Sequence, residues 1–189
     1  MKNTILAFAI IFIYCHKDNT IKVALNIEND TIIIELFPHK APLTVENFLR
    51  YVDEGRYNDF HFYRVVYLEN QKNDNVKIEV IQGGLGFDKH PNKLSLIPHE
   101  STNITNIRHL NGTIPIARNK PRTADSELFI CINDQADLNY NGKRNLDRQG
   151  FAASKSVIFG MQIINFTHQL PSNNQVLNHP IKIKSIKRI

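Results

Sequence analysis

The stretch Val23-Ala24-Leu25-Asn26-Ile27-Glu28-Asn29-Asp30-Thr31-Ile32-Ile33-Ile34-Glu35-Leu36 decides how the rest of the chain is read. Val23, Leu25 and Ile27 alternate with polar neighbours, the period of a strand with one buried face. Asn29 and Asp30 suit a tight turn, and Ile32 to Leu36 returns as a second strand rich in β-branched residues. The segment reads as a β-hairpin. Working outwards, Ala41, Val45, Phe48, Leu49 and Val52 recur at helical spacing around Pro42, and Gly55 ends the pattern. This predicts one amphipathic helix over residues 42–53, packed on a sheet. Residues 60–66, 77–81, 113–117 and 127–132 are short apolar runs of high strand propensity between polar, Gly and Pro turns. Residues 161–170 suggest a second helix stopped by Pro171, and residues 181–189 a closing strand. The rhythm predicts a mainly β domain, a closed antiparallel barrel or a sandwich.

The chain has 189 residues, of which 42% are hydrophobic, enough for one cored domain but not comfortably for two. We therefore expect one domain over residues 21–189 behind an N-terminal appendage over residues 1–20. The net charge of +5 is spread along the sequence with acids in between. Its densest basic stretch, Lys182, Lys184, Lys187 and Arg188, alternates with Ile181, Ile183 and Ile186 like the wet face of a half-buried strand, so no nucleic-acid partner is expected. The two cysteines, Cys15 and Cys131, outline no disulfide framework; Cys131, after Leu128, Phe129 and Ile130, reads as a buried strand thiol.

Met1, Lys2 and Asn3 precede an apolar run from Ile5 to Tyr14, shorter than the roughly 20 residues of a membrane-spanning helix. It has the form of a signal peptide. Cys15 follows, then a polar stretch, an arrangement that resembles the lipid-attachment site of bacterial lipoproteins, although Tyr14 stands where those sites prefer a small residue. An ordinary secretory signal and an uncleaved anchor fit the same residues. The expectation is export, to the periplasm or to a membrane held through the N-terminus alone.

Several chemistries can be set aside. No serine sits in a nucleophile elbow, no Gly-Lys-Ser/Thr phosphate loop is present, and none of the eight histidines pairs with another at metal-ligand spacing. Gly83-Gly84-Leu85-Gly86 lacks the following helix of a phosphate cradle and reads as a turn that needs positive φ. What remains is an ordered set of apolar and amide residues around an arginine: Phe62-Tyr63-Arg64, Gln82-Gly83-Gly84, Ile116-Ala117-Arg118 and Ser126-Glu127-Leu128-Phe129-Ile130. An arginine in an apolar run is hard to dismiss, because burial without a partner or a task is costly.

That set resembles the signature of the cyclophilins, and Ala41-Pro42-Leu43-Thr44-Val45-Glu46-Asn47-Phe48, Gly112-Thr113-Ile114 and Gly150-Phe151-Ala152 agree in order and spacing. The resemblance covers residues 23–189. It implies a closed eight-stranded antiparallel barrel capped by two helices, a monomer, with a groove for proline-containing peptides and unfolded exported proteins, and with neither metal nor organic cofactor. The implied activity is peptidyl-prolyl cis-trans isomerisation, with Arg64 donating to the prolyl nitrogen and Gln82 orienting Arg64. Phe62, Val80, Phe129 and Leu138 are implied as pocket lining, with Ala117, Arg118, Glu127 and Phe151 as further substrate contacts. Three departures stand out. About ten polar residues, 67–77, lengthen the link between Arg64 and Gln82, a length change that costs a surface loop little. Val80 replaces the usual methionine, and Glu79 precedes it where an aromatic is common. Ser154 and Lys155 stand where the family reads Phe-Gly, removing a core aromatic. The altered pocket and the added loop leave open a rival reading, a cyclophilin-like chaperone or scaffold that grips peptides with little turnover.

Overall fold

The computed structural model describes residues 19–57, 60–86 and 88–189. Residues 1–18, and with them the apolar leader and Cys15, lie outside the described residues. The hairpin is present as β1 (Ile21–Ile27) and β2 (Asp30–Leu36), paired from Ile21 opposite Leu36 to Ile27 opposite Asp30. Eight more strands follow: β3 (His61–Val66), β4 (Val80–Gly84), β5 (Thr113–Ile116), β6 (Leu128–Cys131), β7 (Ala152–Phe159), β8 (Ser172–Asn173), β9 (Val176–Lys182) and β10 (Ser185–Arg188). They make one ten-stranded antiparallel sheet in the order β10-β1-β2-β7-β5-β6-β4-β3-β9-β8. β9 and β10 stand near opposite ends of that order, yet only Ile183 and Lys184 separate them in sequence, so the sheet has to curl round on itself. The amides of these two residues make the join: Ile183 N donates to Phe60 O at 3.0 Å and Lys184 N to Asn26 O at 2.8 Å.

The expected barrel is thus present in its main lines, with more pieces than anticipated. The stretch read as one closing strand is two, β9 and β10. β4 starts at Val80 and not at Lys77, because Ile78 is held by the added loop: Ile78 N donates to Gln71 Oε1 at 3.1 Å and Ile78 O accepts from Gln71 Nε2 at 2.8 Å. Of the glycine run, Gly86 takes φ +85° as a turn would, whereas Gly83 and Gly84 belong to β4. At Gly84 a side chain would run into the Glu127 carboxylate.

Three α-helices decorate the sheet: α1 (Pro42–Asp53), the one-turn α2 (Thr102–Thr105) and α3 (Met161–His168). α1 lays Val45, Phe48, Leu49 and Tyr51 on the core. Its N-terminus has no local side-chain cap; instead Glu100, far along the chain, accepts from Leu43 N at 3.2 Å and from Thr44 N and Oγ1, both at 2.7 Å. A carboxylate there satisfies orphan amides and meets the positive end of the helix dipole.

The missing core aromatic has a replacement. The β5–β7 ladder slips between Ile114 and Pro115, making Ser154 an extra residue in β7, and both Ser154 and Lys155 are buried. Pro115 is tolerated at this irregularity because it owes the ladder no amide. Lys155 is 1% exposed; its Nζ stands 4.6 Å from the centre of the Phe48 ring and donates to Ser154 Oγ at 3.0 Å. The lysine stem fills space as an aliphatic chain would. With no carboxylate among the described residues bonded to it, burial pushes the amine down to about 7.

Candidate active site

Arg64, Gln82 and Phe129 form a row across three neighbouring strands, with Arg64 opposite Gln82 and Gln82 opposite Phe129. Strict alternation along β3 would put Phe62 on the same face as Arg64. It does not hold, because both ladders of β3 shift register between these two residues. Such a bulge re-aims the side chains on either side of it. Arg64 therefore faces a groove, while Phe62 turns into the main core, fully buried and edge-on to Phe60 with ring centres 5.7 Å apart. Phe62 is accordingly not a pocket residue, a correction to the sequence reading.

Arg64 borders a cavity of about 140 Å³. Its floor is apolar: Val80, Ala117, Phe129 and Phe151, with Ile78 from the end of the added loop. Phe129 and Phe151 meet edge to face at 5.0 Å. Gln82, Arg118, Asn119 and Arg144 complete the lining. Leu138 is fully buried with Val66, Val80, Phe129 and Cys131, so it supports the floor from beneath and is not on the surface of the cavity. A larger depression of about 600 Å³ lies beside α2 among Asn103, Asn106, Asn139 and Tyr140. It lacks an apolar floor, and the smaller cavity is the better receptor for a proline ring.

The guanidinium of Arg64 is gripped from two sides by neutral amides. Nη1 donates to Gln82 Oε1 at 2.7 Å, and Nε donates to Gln175 Oε1 at 3.0 Å, with Nη2 donating to the same oxygen. No carboxylate among the described residues is bonded to it. Burial, and secondarily the charge of Arg144, pull its pKa down from the ordinary arginine value. Gln175 directly precedes β9, where Val176 lies opposite Arg64, and its own Nε2 donates to Asn70 O at 3.1 Å. The added loop thus helps to aim the arginine. Gln175 carries no motif and was invisible to sequence reasoning; only the β3–β9 register brings it here.

Glu127 stands one layer behind Gln82. It accepts from Gly86 N at 2.7 Å, from Gln82 Nε2 at 3.5 Å and from the Tyr63 hydroxyl, and Gln82 Nε2 also donates to Tyr63 Oη at 3.1 Å. Burial raises the Glu127 pKa, and these hydrogen bonds oppose the rise. Glu127 therefore fixes the amide that fixes Arg64 and does not line the cavity. Arg118 does line it, but its side chain is 0% exposed and turned away, paired with Asp147 at 2.8 and 2.9 Å and with Gly150 O. Its guanidinium carbon lies 5.4 Å from the centre of the Phe151 ring.

A curled antiparallel barrel carrying an apolar slot, with an arginine aimed along its wall by glutamine, is the arrangement of a cyclophilin. Residues 21–188 match the family model described as cyclophilin type peptidyl-prolyl cis-trans isomerase/CLD, and the chain belongs to this family of enzymes. Among curated relatives, a peptidyl-prolyl cis-trans isomerase of Streptomyces antibioticus is 31% identical over 87% of this chain and 96% of its own. Peptidyl-prolyl cis-trans isomerase B of Escherichia coli is 32% identical over 76% of this chain and 81% of its own. Among solved structures, a cyclophilin-type peptidyl-prolyl cis-trans isomerase of Cryptosporidium parvum superposes with a TM-score of 0.69 at 21% identity, over 90% of this chain and 98% of that one, which speaks for the fold. A second structure of that protein, in the presence of the dipeptide Ala-Pro, gives 0.66.

Proposed function

We propose that the cavity beside Arg64 receives the proline of an X-Pro peptide and that Arg64 catalyses rotation about its amide bond. The observation that carries this is the grip on Arg64 by two neutral amide oxygens, at the rim of an apolar floor of proline size. Rotation is opposed by about 18–20 kcal/mol of lost resonance. No bond is made or broken. In the twisted transition state the prolyl nitrogen pyramidalises and regains a lone pair, so a donor aimed at it binds that state better than either planar ground state. The guanidinium stays charged, and its partners accept hydrogen bonds without cancelling its charge. One charge-assisted hydrogen bond is worth about 1.5–3 kcal/mol, roughly ten- to a hundredfold in rate. Water exclusion by Phe129, Phe151 and Val80, and the fixed donor geometry, supply the remainder. The Ala-Pro dipeptide present with the Cryptosporidium protein is in keeping with a proline site.

The same reading covers where the enzyme works. The apolar run before Cys15 supports export, and the polar stretch after Cys15 supports lipid attachment there; we propose exported proteins as the substrates. Mass spectrometry of the mature N-terminus tests this part. The catalytic part is tested by the isomerisation rate of a short proline peptide with wild type and Arg64→Ala side by side. The variant should lose about ten- to a hundredfold in kcat/KM. Equal rates would end the arginine mechanism, and no acceleration by either would leave a peptide-binding module.

A further inference from the structure

Three arginines border the cavity, Arg64, Arg118 and Arg144, and no carboxylate among the described residues does. They are not equivalent. Arg118 is spent on Asp147 and Gly150 O with its side chain wholly buried. Arg64 is held along the wall by its two glutamines. Arg144 belongs to neither β3 nor β4: it comes from the loop between Leu138 and Gly150 and reaches the added 67–77 segment, donating Nη1 to Val76 O at 2.6 Å and pairing with Asp74 at 3.2 Å. The hydrogen bond to Val76 uses Nη1, and neither Nε nor Nη2 makes a hydrogen bond among the described residues. Its side chain is 17% exposed, with the counter-ion Asp74 on the more open side at 42%. The head group is thus pinned at the cavity by two loops, close enough to Arg64 for their charges to be felt.

We propose that Arg144 is a specificity residue, and that the groove selects X-Pro segments carrying an acidic side chain beside the proline. The inference rests on the reading that the cavity holds proline. A carboxylate near the proline meets a pinned guanidinium with free donors, in a partly water-excluded site where a bidentate pair is strong. A lysine at the same place meets the charge of Arg64, which is bonded to no carboxylate among the described residues, and that of Arg144, whose counter-ion Asp74 lies on the more open side. Asp74 weakens the field without abolishing it, since it pairs with Arg144 from the more open side and makes no hydrogen bond to the guanidinium among the described residues.

The test is direct binding of fluorescent peptides in which each of the two residues on either side of a single proline is in turn Glu, Gln or Lys. At one position or more, wild type should bind Glu about three- to tenfold more tightly than Gln, and Lys more weakly, with the gap shrinking as salt rises. Arg144→Gln should bring the Glu-to-Gln ratio close to one; loss of a mere loop staple would weaken Glu and Gln peptides alike and leave the ratio alone. Asp74→Asn keeps Arg144 and removes its counter-ion, so the ratio should rise. Equal affinities for Glu and Gln at all positions, a ratio that survives Arg144→Gln, or a ratio that falls in Asp74→Asn overturns the proposal. Isomerisation of the same peptides is followed separately. Turnover without an acidic preference sinks this inference alone, and acidic preference without turnover sinks the isomerase reading while this one stands.

Discussion

Lys155 offers a sharp test of how this core is built. Its amine is buried over Phe48 and beside Ser154, and its pKa lies at about 7 against an ordinary 10.5. Between those values the unfolded chain binds a proton that the folded chain does not, so stability rises with pH across the window and is flat below it. At about 1.4 kcal/mol per pH unit the whole window amounts to about 5 kcal/mol. Only its lower part is clean, because Cys131, whose thiol burial pushes up, opposes the trend above its ordinary value of 9.0. From pH 7 to 8.5 the gain should be on the order of 1–2 kcal/mol. Lys155→Met keeps the volume and removes the titration. It should abolish this rise and add on the order of 2–4 kcal/mol at pH 7, after about 1 kcal/mol is lost at the unpaired Ser154 hydroxyl. Denaturant midpoints for both proteins, followed by circular dichroism because the chain has no tryptophan, give the comparison. Parallel profiles for wild type and Lys155→Met, or a less stable variant at every pH, would refute the account of a desolvated amine in a slot made for an aromatic ring.

Two further outcomes follow from the layers behind Arg64. Gln175→Ala removes one of the two grips on the guanidinium and should lower kcat/KM about three- to tenfold, with the loss carried by kcat, since Gln175 does not line the cavity; steady-state kinetics over a range of peptide concentrations shows the split. Glu127→Gln removes a buried carboxyl whose raised pKa makes wild type lose stability, relative to the variant, as pH rises above 4.5. Thermal midpoints at pH 4.5 and pH 7 should therefore move apart in favour of the variant, and a constant offset would show that Glu127 is not strained by burial.

Regular periodicity and turn chemistry made most of the framework legible. The hairpin and α1 lie where alternation and helical spacing put them, because each buries one face, whereas β4, β5 and β6 are buried throughout and were legible as short apolar runs between turns. Legibility failed where the ladders slip. The bulge between Phe62 and Arg64 reverses the facing of Phe62, and a side chain two residues from the key arginine, apolar and in a strand, gives no sign of it. The irregularity at Pro115 similarly admits Lys155 to the core, where a lysine is ordinarily read as surface. Leu138 and Glu127 were placed at the right end of the molecule but one layer too far forward, since sequence spacing fixes proximity better than depth. Gln175 and Arg144 come from segments with no pattern of their own, and their roles arise from loops meeting across the groove.

The pairing of β1 with β10 has a temporal side. Asn26 Nδ2 donates to Ser185 Oγ across 159 residues of sequence, and Val23 to Asn26 depend on Ser185 to Arg188 for their second neighbour. On the ribosome, β1 must wait with an unpaired edge until residues 185–188 emerge. A nascent chain stalled short of residue 185 would present that edge, Ile21 to Ile27, to other chains, and would be a natural client for a holdase or a protease.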